Sequence, residues 1–324
     1  MSIMAAVVET FLDITPIDYS KTCLKEGSLK DEVAVVTGST TNIGLGYARA
    51  IAWAGGKVVV TGTNEKAGAE AQRVINAENA PDTALFVKCD LKSDNDIENL
   101  ATKTFEKFGR VDILINNAMN LALNGPVLGT PVRDLDEGYA ISGHSVMLLM
   151  QKFVPGMVER KHGAVVYSAT QFHYKPPMFG GAMYTASKSV ATSLTMSLAN
   201  EVGSYKESGI GVFCVIPAGV LPPNTPRYVV SPDGRDMSQP LSGASAGFNG
   251  PIPPEAAGAA ITYCLLNAEK LHGSGIFLND ALHAMEFPFP NPATASKRNM
   301  RRLTDTELTL VFGCMGPGFD EVAQ

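Results

Sequence analysis

A tyrosine and a lysine four residues apart, Tyr184 and Lys188, form the stretch of this chain whose residue types best suit chemistry. Positions i and i+4 share one face of a helix, so the phenol and the ammonium would point the same way. A free tyrosine has a pKa near ~10, and a neighbouring ammonium lowers that pKa because it favours the phenolate. The pair is therefore a candidate general acid and base. The same spacing also fits an exposed helix with an ordinary tyrosine and lysine, and the sequence upstream decides between these interpretations.

A glycine-rich turn lies between a predicted strand and a predicted helix near the start of the chain. The apolar run at 33–36 predicts a buried strand, and Gly38, Gly44 and Gly46 precede the helical residues 47–52. Glycines allow the backbone to approach a pyrophosphate, and the N-terminus of a helix presents N–H groups without partners. A glycine turn alone is a weak signal, but strand, turn and helix in this order predict a dinucleotide-binding site.

Short apolar runs alternate with helical patterns along most of the chain. The remaining predicted elements are strand 57–61, helix 65–78, strand 84–87, helix 95–108, strand 111–115, helix 146–157, strand 164–167, a helix that holds Tyr184, strand 212–216, helix 255–266 and strand 275–278. This alternation predicts an α/β fold, a Rossmann-type doubly wound parallel β-sheet with helices on both faces. One domain at 29–285 therefore accounts for most of the 324 residues, with an N-terminal extension at 1–28 and a C-terminal extension at 286–324.

Composition excludes several classes of protein. A net charge of −6 argues against a nucleic-acid partner and against an anionic membrane surface. The five cysteines are scattered, odd in number and never in C-x-x-C spacing, which argues against a disulfide scaffold or zinc site and fits a reducing cytoplasm. The apolar N-terminus has no basic region and is too short to span a membrane, so a cytoplasmic location is expected. The five histidines lack metal-binding spacing, so no metal is expected.

Together these motifs resemble the classical short-chain dehydrogenase/reductase family over roughly four-fifths of the chain. The resemblance rests on Thr37-Gly38 with Gly44, on Asn116-Asn117-Ala118, on Tyr184-x-x-x-Lys188, and on Pro217 after the sixth strand. The order and spacing of these motifs together are specific to the family.

The resemblance implies an NAD(P)-dependent oxidoreductase that interconverts a secondary alcohol and a ketone by hydride transfer. In the family the tyrosine, here Tyr184, donates or accepts the alcohol proton. The lysine, here Lys188, lowers the pKa of the tyrosine and holds the nicotinamide ribose. A serine upstream hydrogen-bonds the substrate carbonyl, and an asparagine in the preceding long helix supports the lysine through a water. The implied cofactor-binding residues are Gly38, Thr40, Thr41, Asn42, Ile43, Gly44, Thr63, Asp90, Leu91, Asn117, Ala118, Tyr184, Lys188, Pro217, Gly219 and Val220.

The serine and asparagine positions depart from the family pattern. Counting along the strand from Gly163 places Thr170 at the serine position, whereas counting back from the tyrosine places Gln171 there. Threonine keeps the hydroxyl, so it can still polarise a carbonyl. Counting back from Gln151 places Ser142 at the asparagine position, where it would hold a water less firmly.

Two further positions also differ. Met119 replaces the glycine that usually follows Asn-Asn-Ala, and Asn42 replaces the middle glycine of the turn. Asparagine is the non-glycine residue that best tolerates a left-handed backbone. The departures leave open a catalytically weak or inactive paralogue that acts as a structural subunit, or a dinucleotide-binding regulator. The retained Tyr184 and Lys188 favour an enzyme.

The end of the second strand bears on the choice of cofactor. Members that use NAD place an acid there, and this chain has Gly62. Members that use NADP place a base at the position of Thr41 or Thr63, and neither residue is basic. An uncompensated 2′-phosphate would be the costlier misfit, so NAD(H) is favoured over NADP(H). Asp90 is expected to contact the adenine edge, to cap the following helix, or both.

A long segment rich in proline and glycine, at about 218–254, follows Pro217. A loop of this length is typically a functional lid or disordered, and in the family it is the substrate lid. Apolar residues before the tyrosine, such as Phe179 and Met183, belong either to the core or, as their placement favours, to the wall of a pocket for a bulky apolar ketone or alcohol. His173 should face the same cleft. The chain is similar to bacterial hydroxysteroid dehydrogenases of the 20β type, which implies a steroid-like substrate.

The two extensions lie outside the family core. Ala5, Val8, Phe11 and Leu12 would form one helical face, which either packs on the body or on a neighbouring subunit, or belongs to a frayed tail. Residues 301–311 also have a helical pattern. Family members commonly form tetramers through the long helices, which here hold Val146 and Tyr184, so a homo-oligomer (tetramer or dimer) is expected.

Overall fold

The computed structural model describes most of the predicted domain. The described residues are 7–9, 19, 22–120, 127–170, 181–217, 220, 228–230, 252, 254–287 and 300–302, and at 7–9, 228–230 and 300–302 the description covers the backbone alone. The predicted features outside these residues are Ala5, Phe11, Leu12, Gln171, His173, Phe179, Gly219, residues 303–311 and most of the segment 218–254.

Strands build two sheets in the described part of the chain. Their bounds are β1 (Val7–Glu9), β2 (Val33–Val36), β3 (Lys57–Gly62), β4 (Ala84–Lys88), β5 (Ile113–Asn116), β6 (Gly163–Ser168), β7 (Ile210–Ile216), β8 (Tyr228–Val230), β9 (Gly275–Phe277) and β10 (Met300–Arg302). Seven of them form a parallel sheet in the order β4-β3-β2-β5-β6-β7-β9. The order reverses between β2 and β5, so the residues that follow these strands flank one crevice. The doubly wound fold predicted from the sequence is confirmed.

Helices cover both faces of this sheet. Their bounds are α1 (Asn42–Trp53), α2 (Glu65–Glu78), α3 (Asp94–Phe108), α4 (Val132–Tyr139), a π-helix (Ala140–His144), α5 (Ser145–Arg160), α6 (Ala182–Val202), α7 (Tyr205–Ser208), α8 (Pro254–Leu266), α9 (Ala268–Leu271) and α10 (Leu278–Ala284). Successive strand residues point to opposite faces. In β6, Val166 packs in the core with α1 and α8, whereas Val165 and Tyr167 pack in the core with α3, α5 and α6.

Two glycines bring α1 and α8 into close contact. A Cβ at Gly258 would lie 2.3 Å from the carbonyl oxygen of Gly46, and a Cβ at Gly46 would lie 2.0 Å from that of Pro254. Neither glycine can carry a larger side chain unless the helices separate. This contact holds α1, and with it the glycine turn at its N-terminus, against α8.

The second sheet corrects the predictions for both extensions. It is antiparallel, in the order β10-β1-β8, and Val8 of the central strand pairs with Arg301 and Val229. The helical face predicted within residues 5–12 is therefore wrong at 7–9, and the helix predicted at 301–311 is wrong at 301–302. A short apolar segment fits either period, and here partners distant in sequence select the strand. Because β8 belongs to the segment 218–254, the N-terminal extension pairs with the predicted lid through β1, and the C-terminal extension pairs with β1 on its other side.

The end of the N-terminal extension packs on the main domain. The Tyr19 ring lies 5.3 Å from the ring of Trp53 in α1, and Leu24 is buried in the same core. The main domain therefore has contacts that begin before residue 29.

Two further observations concern the cysteines and the apolar character of the helices. Cys23, Cys89, Cys214 and Cys264 are free thiols. Among the described helices, none is both long and apolar enough to cross a membrane.

Candidate active site

The glycine turn after β2 is shaped by close backbone contacts. Gly38 has a φ of +63°, and a Cβ there would lie 2.9 Å from the Cα of Ala118. A Cβ at Gly44 would lie 2.3 Å from the carbonyl oxygen of Gly38. Asn42 has a φ of +47°, as its place in the turn predicts. The turn therefore requires glycine where a Cβ would meet the backbone, and a residue that tolerates a positive φ at position 42.

The N-terminus of α1 opens onto this cradle. Thr41 is the N-cap residue, and its side chain makes no capping hydrogen bond. The Oδ1 of Asn42 is buried and has no hydrogen-bond partner in the described structure. Uncapped N–H groups at the start of a helix suit an anion, so the turn fits the pyrophosphate of a dinucleotide.

Hydrogen bonds fix the turn to the neighbouring strands. The Thr37 hydroxyl accepts from the backbone N–H groups of Asn117 and Ala118, at 2.9 and 3.0 Å, and Asn117 Nδ2 donates to the Thr37 carbonyl at 3.0 Å. On the other side, the Ser39 hydroxyl donates to the Val36 carbonyl and accepts from the N–H of Thr61. The motif after β5 thus supports the glycine turn after β2.

A cleft of about 770 Å³ lies at this edge of the sheet. The predicted cofactor residues that line it are Gly38, Thr40, Thr41, Asn42, Ile43, Gly44, Thr63, Asp90, Leu91, Asn117, Ala118, Tyr184, Lys188, Pro217 and Val220. Gly219, the remaining predicted cofactor residue, lies outside the described residues. The tertiary fold therefore brings together residues that are spread over more than half of the sequence.

Tyr184 and Lys188 reach the cleft from the first turns of α6. Lys188 is almost fully buried, and its Nζ donates a hydrogen bond to the Ser168 carbonyl oxygen at 2.5 Å. The same atom lies 5.0 Å from the ring centroid of Tyr167 and 5.9 Å from that of Tyr184. Burial lowers the pKa of Lys188 to about 8, because the low-dielectric interior disfavours the ammonium.

Thr170 and Ser142 are not among the residues that line this cleft. Thr170 lies two residues beyond the end of β6 and is buried. Ser142 lies in the π-helix between α4 and α5, also buried, and its hydroxyl donates to the Sδ of Met119 at 3.5 Å. Met119 itself lines the cleft, so Ser142 contacts a residue of the cleft wall from behind.

Asp90 lines the cleft but does not cap the next helix. The N-cap of α3 is Ser93, whose hydroxyl accepts from the N–H of Asp96. Asp90 Oδ1 instead accepts from the N–H of Lys92 at 3.0 Å. The N-cap interpretation of Asp90 is therefore wrong, because the first turn of the helix begins three residues later.

Two buried polar residues on neighbouring strands, one of them beneath the lysine, were not among the predicted site residues. Tyr167 lies at the end of β6, and Asn116 is its direct partner on β5. The alternation of β6 gave a usable signal, since residues two apart share a face and Val165 belongs to the core under α6. An asparagine that ends an apolar strand gave a second signal.

Comparison with known proteins agrees with the dinucleotide-binding α/β fold. Residues 32–229, more than half of the chain, match the short chain dehydrogenase family, and the chain belongs to this family of oxidoreductases. It is 31% identical over 193 residues to the (21S)-21-acetoxyl-apo-melianone synthase SDR of Melia azedarach, across 59% of this chain and 68% of that protein.

Solved structures share the fold. A metagenomic short-chain oxidoreductase in complex with NADP is 28% identical and superposes with a TM-score of 0.59, over 77% of this chain and 96% of that one. A 7α-hydroxysteroid dehydrogenase with NADH and 7-oxo glycochenodeoxycholic acid superposes with a TM-score of 0.62, over 78% and 94% of the two chains. At 21% identity, this likeness shows a shared fold alone.

Proposed function

We propose that this protein interconverts a secondary alcohol and a ketone with a nicotinamide dinucleotide as the hydride carrier. The observation that carries the proposal is the position of Tyr184 and Lys188 in the same cleft as the glycine turn. A proton-transferring phenol and an anion-binding cradle are what this reaction needs within one site.

Each proposed role follows from the residue's chemistry and place. The bound nicotinamide supplies or accepts the hydride. Tyr184 moves the proton at the alcohol oxygen, and the charge of Lys188 favours the phenolate that accepts it. We assign Thr170 to the substrate carbonyl through its hydroxyl, and Ser142 to the support of Lys188. The glycine turn and Asn117 hold and orient the dinucleotide.

The proposed cofactor is NAD(H) in preference to NADP(H). Gly62 and Thr63 at the end of β3 offer no positive charge to a 2′-phosphate, and the nearby Lys88 is paired with Glu65 at 2.7 Å. An unpaired phosphate would lose solvation without compensation. Related structures contain either cofactor, so this preference rests on the residues of this chain.

The proposed substrate is a bulky apolar ketone or alcohol such as a hydroxysteroid. Met119, Ile141 and Val220 line the cleft that also holds Tyr184, and apolar walls favour an apolar ligand. We further propose a cytoplasmic homo-oligomer, either a dimer or a tetramer, assembled through α5 and α6. Met147 and Val158 of α5 are half exposed, which leaves apolar surface for a second copy.

A substrate panel tests the proposal. Ketosteroids and aromatic ketones are assayed with NADH and with NADPH by absorbance, first on the parent protein and then on Tyr184→Phe. Loss of the phenol hydroxyl should cut turnover by roughly 10² or more while cofactor binding stays, because general acid–base help is lost. Lys188→Ala should weaken both binding and turnover.

The panel also separates the alternative function. An inactive paralogue or a dinucleotide-binding regulator would bind cofactor and turn over no compound, and a weak paralogue would bind cofactor and turn over every compound slowly. Thr170 and Ser142 in place of the family's serine and asparagine favour this alternative. Equal turnover by Tyr184→Phe and the parent would remove Tyr184 from the mechanism.

A further inference from the structure

Three side chains form a row beneath Lys188, on neighbouring strands of the sheet. Asn116 of β5 pairs with Tyr167 of β6, and Tyr167 pairs with Cys214 of β7. Paired positions of adjacent strands point to the same face, and this face packs in the core with α5 and α6. Lys188 lies over the middle of the row, with its Nζ 5.0 Å from the ring centroid of Tyr167.

The row contains buried polar atoms that lack a regular hydrogen bond within the described part of the chain. Asn116 is 2% exposed and Tyr167 is 1% exposed. Both amide atoms of Asn116 and the hydroxyl of Tyr167 lack a regular hydrogen bond to any described residue. Buried polar atoms are almost always paired, with protein or with an ordered water, so these groups on adjacent strands suit a bound water.

Ser142 adjoins the row from the helical side. Burial raises the pKa of the Tyr167 phenol well above its usual value, and the Ser142 hydroxyl, which lies against the phenol, offsets a small part of that rise. Ser142 belongs to a π-helical turn, a distortion that often marks functional sites. The phenol therefore lies between the residue at the family's asparagine position and the lysine that the asparagine would support.

We propose that Tyr167 and Asn116, with Ser142, position Lys188 by holding an ordered water against its ammonium. The aromatic face of Tyr167 also attracts the ammonium electrostatically. This inference rests on the proposed function, because these residues act on the proton chemistry of Tyr184 through Lys188. In this chain two strand residues and a serine take the place of one asparagine.

In this proposal the network controls the protonation state of Lys188. Within the described residues, the titratable groups that face Lys188 are Tyr184 of α6, Tyr167 of β6 and Cys214 of β7. Burial lowers the pKa of Lys188 to about 8. Loss of the water would lower this pKa further, because a less solvated ammonium is disfavoured. With less positive charge beside it, Tyr184 would keep its proton to a higher pH.

Two variants and one control test the network kinetically. Tyr167→Phe keeps the ring and removes the hydroxyl, and Asn116→Leu removes the amide at similar size. We expect both to keep KM and cofactor affinity and to lose about 10-fold in kcat. The acid limb of the pH profile for alcohol oxidation should move to higher pH by about one pH unit. Val165→Ala, on the same face of β6, should lower the unfolding midpoint and leave the limb in place.

An unfolding measurement keeps this inference separate from the proposed function. The free energy of unfolding rises with pH between the folded and unfolded pKa of Lys188, because the unfolded chain then binds more protons. The rise should begin at a lower pH in Tyr167→Phe and Asn116→Leu than in the parent. If the parent turns over no compound, the proposed function fails and this measurement still tests the network. An unshifted rise in both variants would overturn the inference, whatever the substrate.

Discussion

The Lys188 ammonium donates to the main-chain carbonyl oxygen of Ser168 at 2.5 Å, which ties α6 to the last residue of β6. The bond places a positive charge inside the protein, next to the tyrosine that shares its helical face. Burial of this charge is costly, and it lowers the pKa of the lysine. A buried cation beside a phenol is a costly arrangement for a residue with a structural role alone, and it suits a proton-transfer site.

The first prediction concerns stability as a function of pH. The pKa of Lys188 is about 8 in the folded protein and has its ordinary value of 10.5 when the chain unfolds. The lysine therefore destabilises the fold fully below pH 8, and this penalty is relieved as the pH rises from about 8 to 10.5. Lys188→Met should be more stable than the parent near pH 7, and the difference should shrink across that window. Chemical denaturation of both proteins at a series of pH values measures it, and a constant difference would contradict the prediction.

A second prediction concerns the cofactor. Gly62→Asp should strongly depress the use of NADPH, because a carboxylate beside the 2′-phosphate repels it, and should change the use of NADH little. A new Cβ at Gly62 would lie 2.9 Å from the Cγ2 of Thr40, so the substitution also has a steric effect. Gly62→Ala carries this steric effect without the charge and is the matched control. If Gly62→Asp and Gly62→Ala behave alike with both cofactors, Gly62 is not at the adenosine ribose.

A third prediction concerns the contact between α1 and α8. Gly258→Ala should destabilise the protein by about 1–3 kcal/mol, because its Cβ meets the backbone oxygen of Gly46, which cannot move alone. Gly156→Ala in α5 should change stability little, since the nearest atom to its Cβ is at the end of the Arg160 side chain, 3.0 Å away. Thermal unfolding of the two variants compares them, and equal midpoints would count against the close contact.

The fourth prediction concerns the N-terminal strand. Removal of residues 1 to 12 deletes β1, the central strand of the small sheet, so β8 and β10 lose the partner that joins them. Because β8 belongs to the predicted lid, we expect reduced turnover, weakened oligomerisation, or both, in a folded protein that still binds cofactor. Steady-state kinetics measure the turnover, and light scattering measures the mass of the oligomer. Unchanged mass and turnover would show that the strand serves neither.

The residue at which this deletion ends affects how its result is interpreted. A deletion as far as residue 25 would also remove Tyr19, which packs on Trp53, and the buried Leu24. Such a protein would lose core contacts, and its loss of activity would report on folding. The shorter deletion keeps both residues and is the sharper test.

The sequence by itself determined the α/β fold, the order of the seven strands of the parallel sheet with the main helices between them, and the candidate Tyr184–Lys188 pair. These features depend on local periods and on turn chemistry, so they can be recognised without knowledge of distant contacts. Asn42 is an instance, since its left-handed backbone follows from its place in a glycine turn. Local signals can also misplace the start of a helix by a few residues. Asp90 was a candidate N-cap of α3, but Ser93 caps that helix.

Only the tertiary structure decided which residues stand behind the lysine. Asn116 and Tyr167 are neighbours because β5 and β6 pair in one register, and no local pattern specifies that register. The same holds for β1, whose apolar residues fit a helix until strands from two distant segments pair with them. Pairing between remote segments depends on the whole fold, whereas helical and strand periods depend on a few consecutive residues, and this difference separates what the sequence determined from what the structure added.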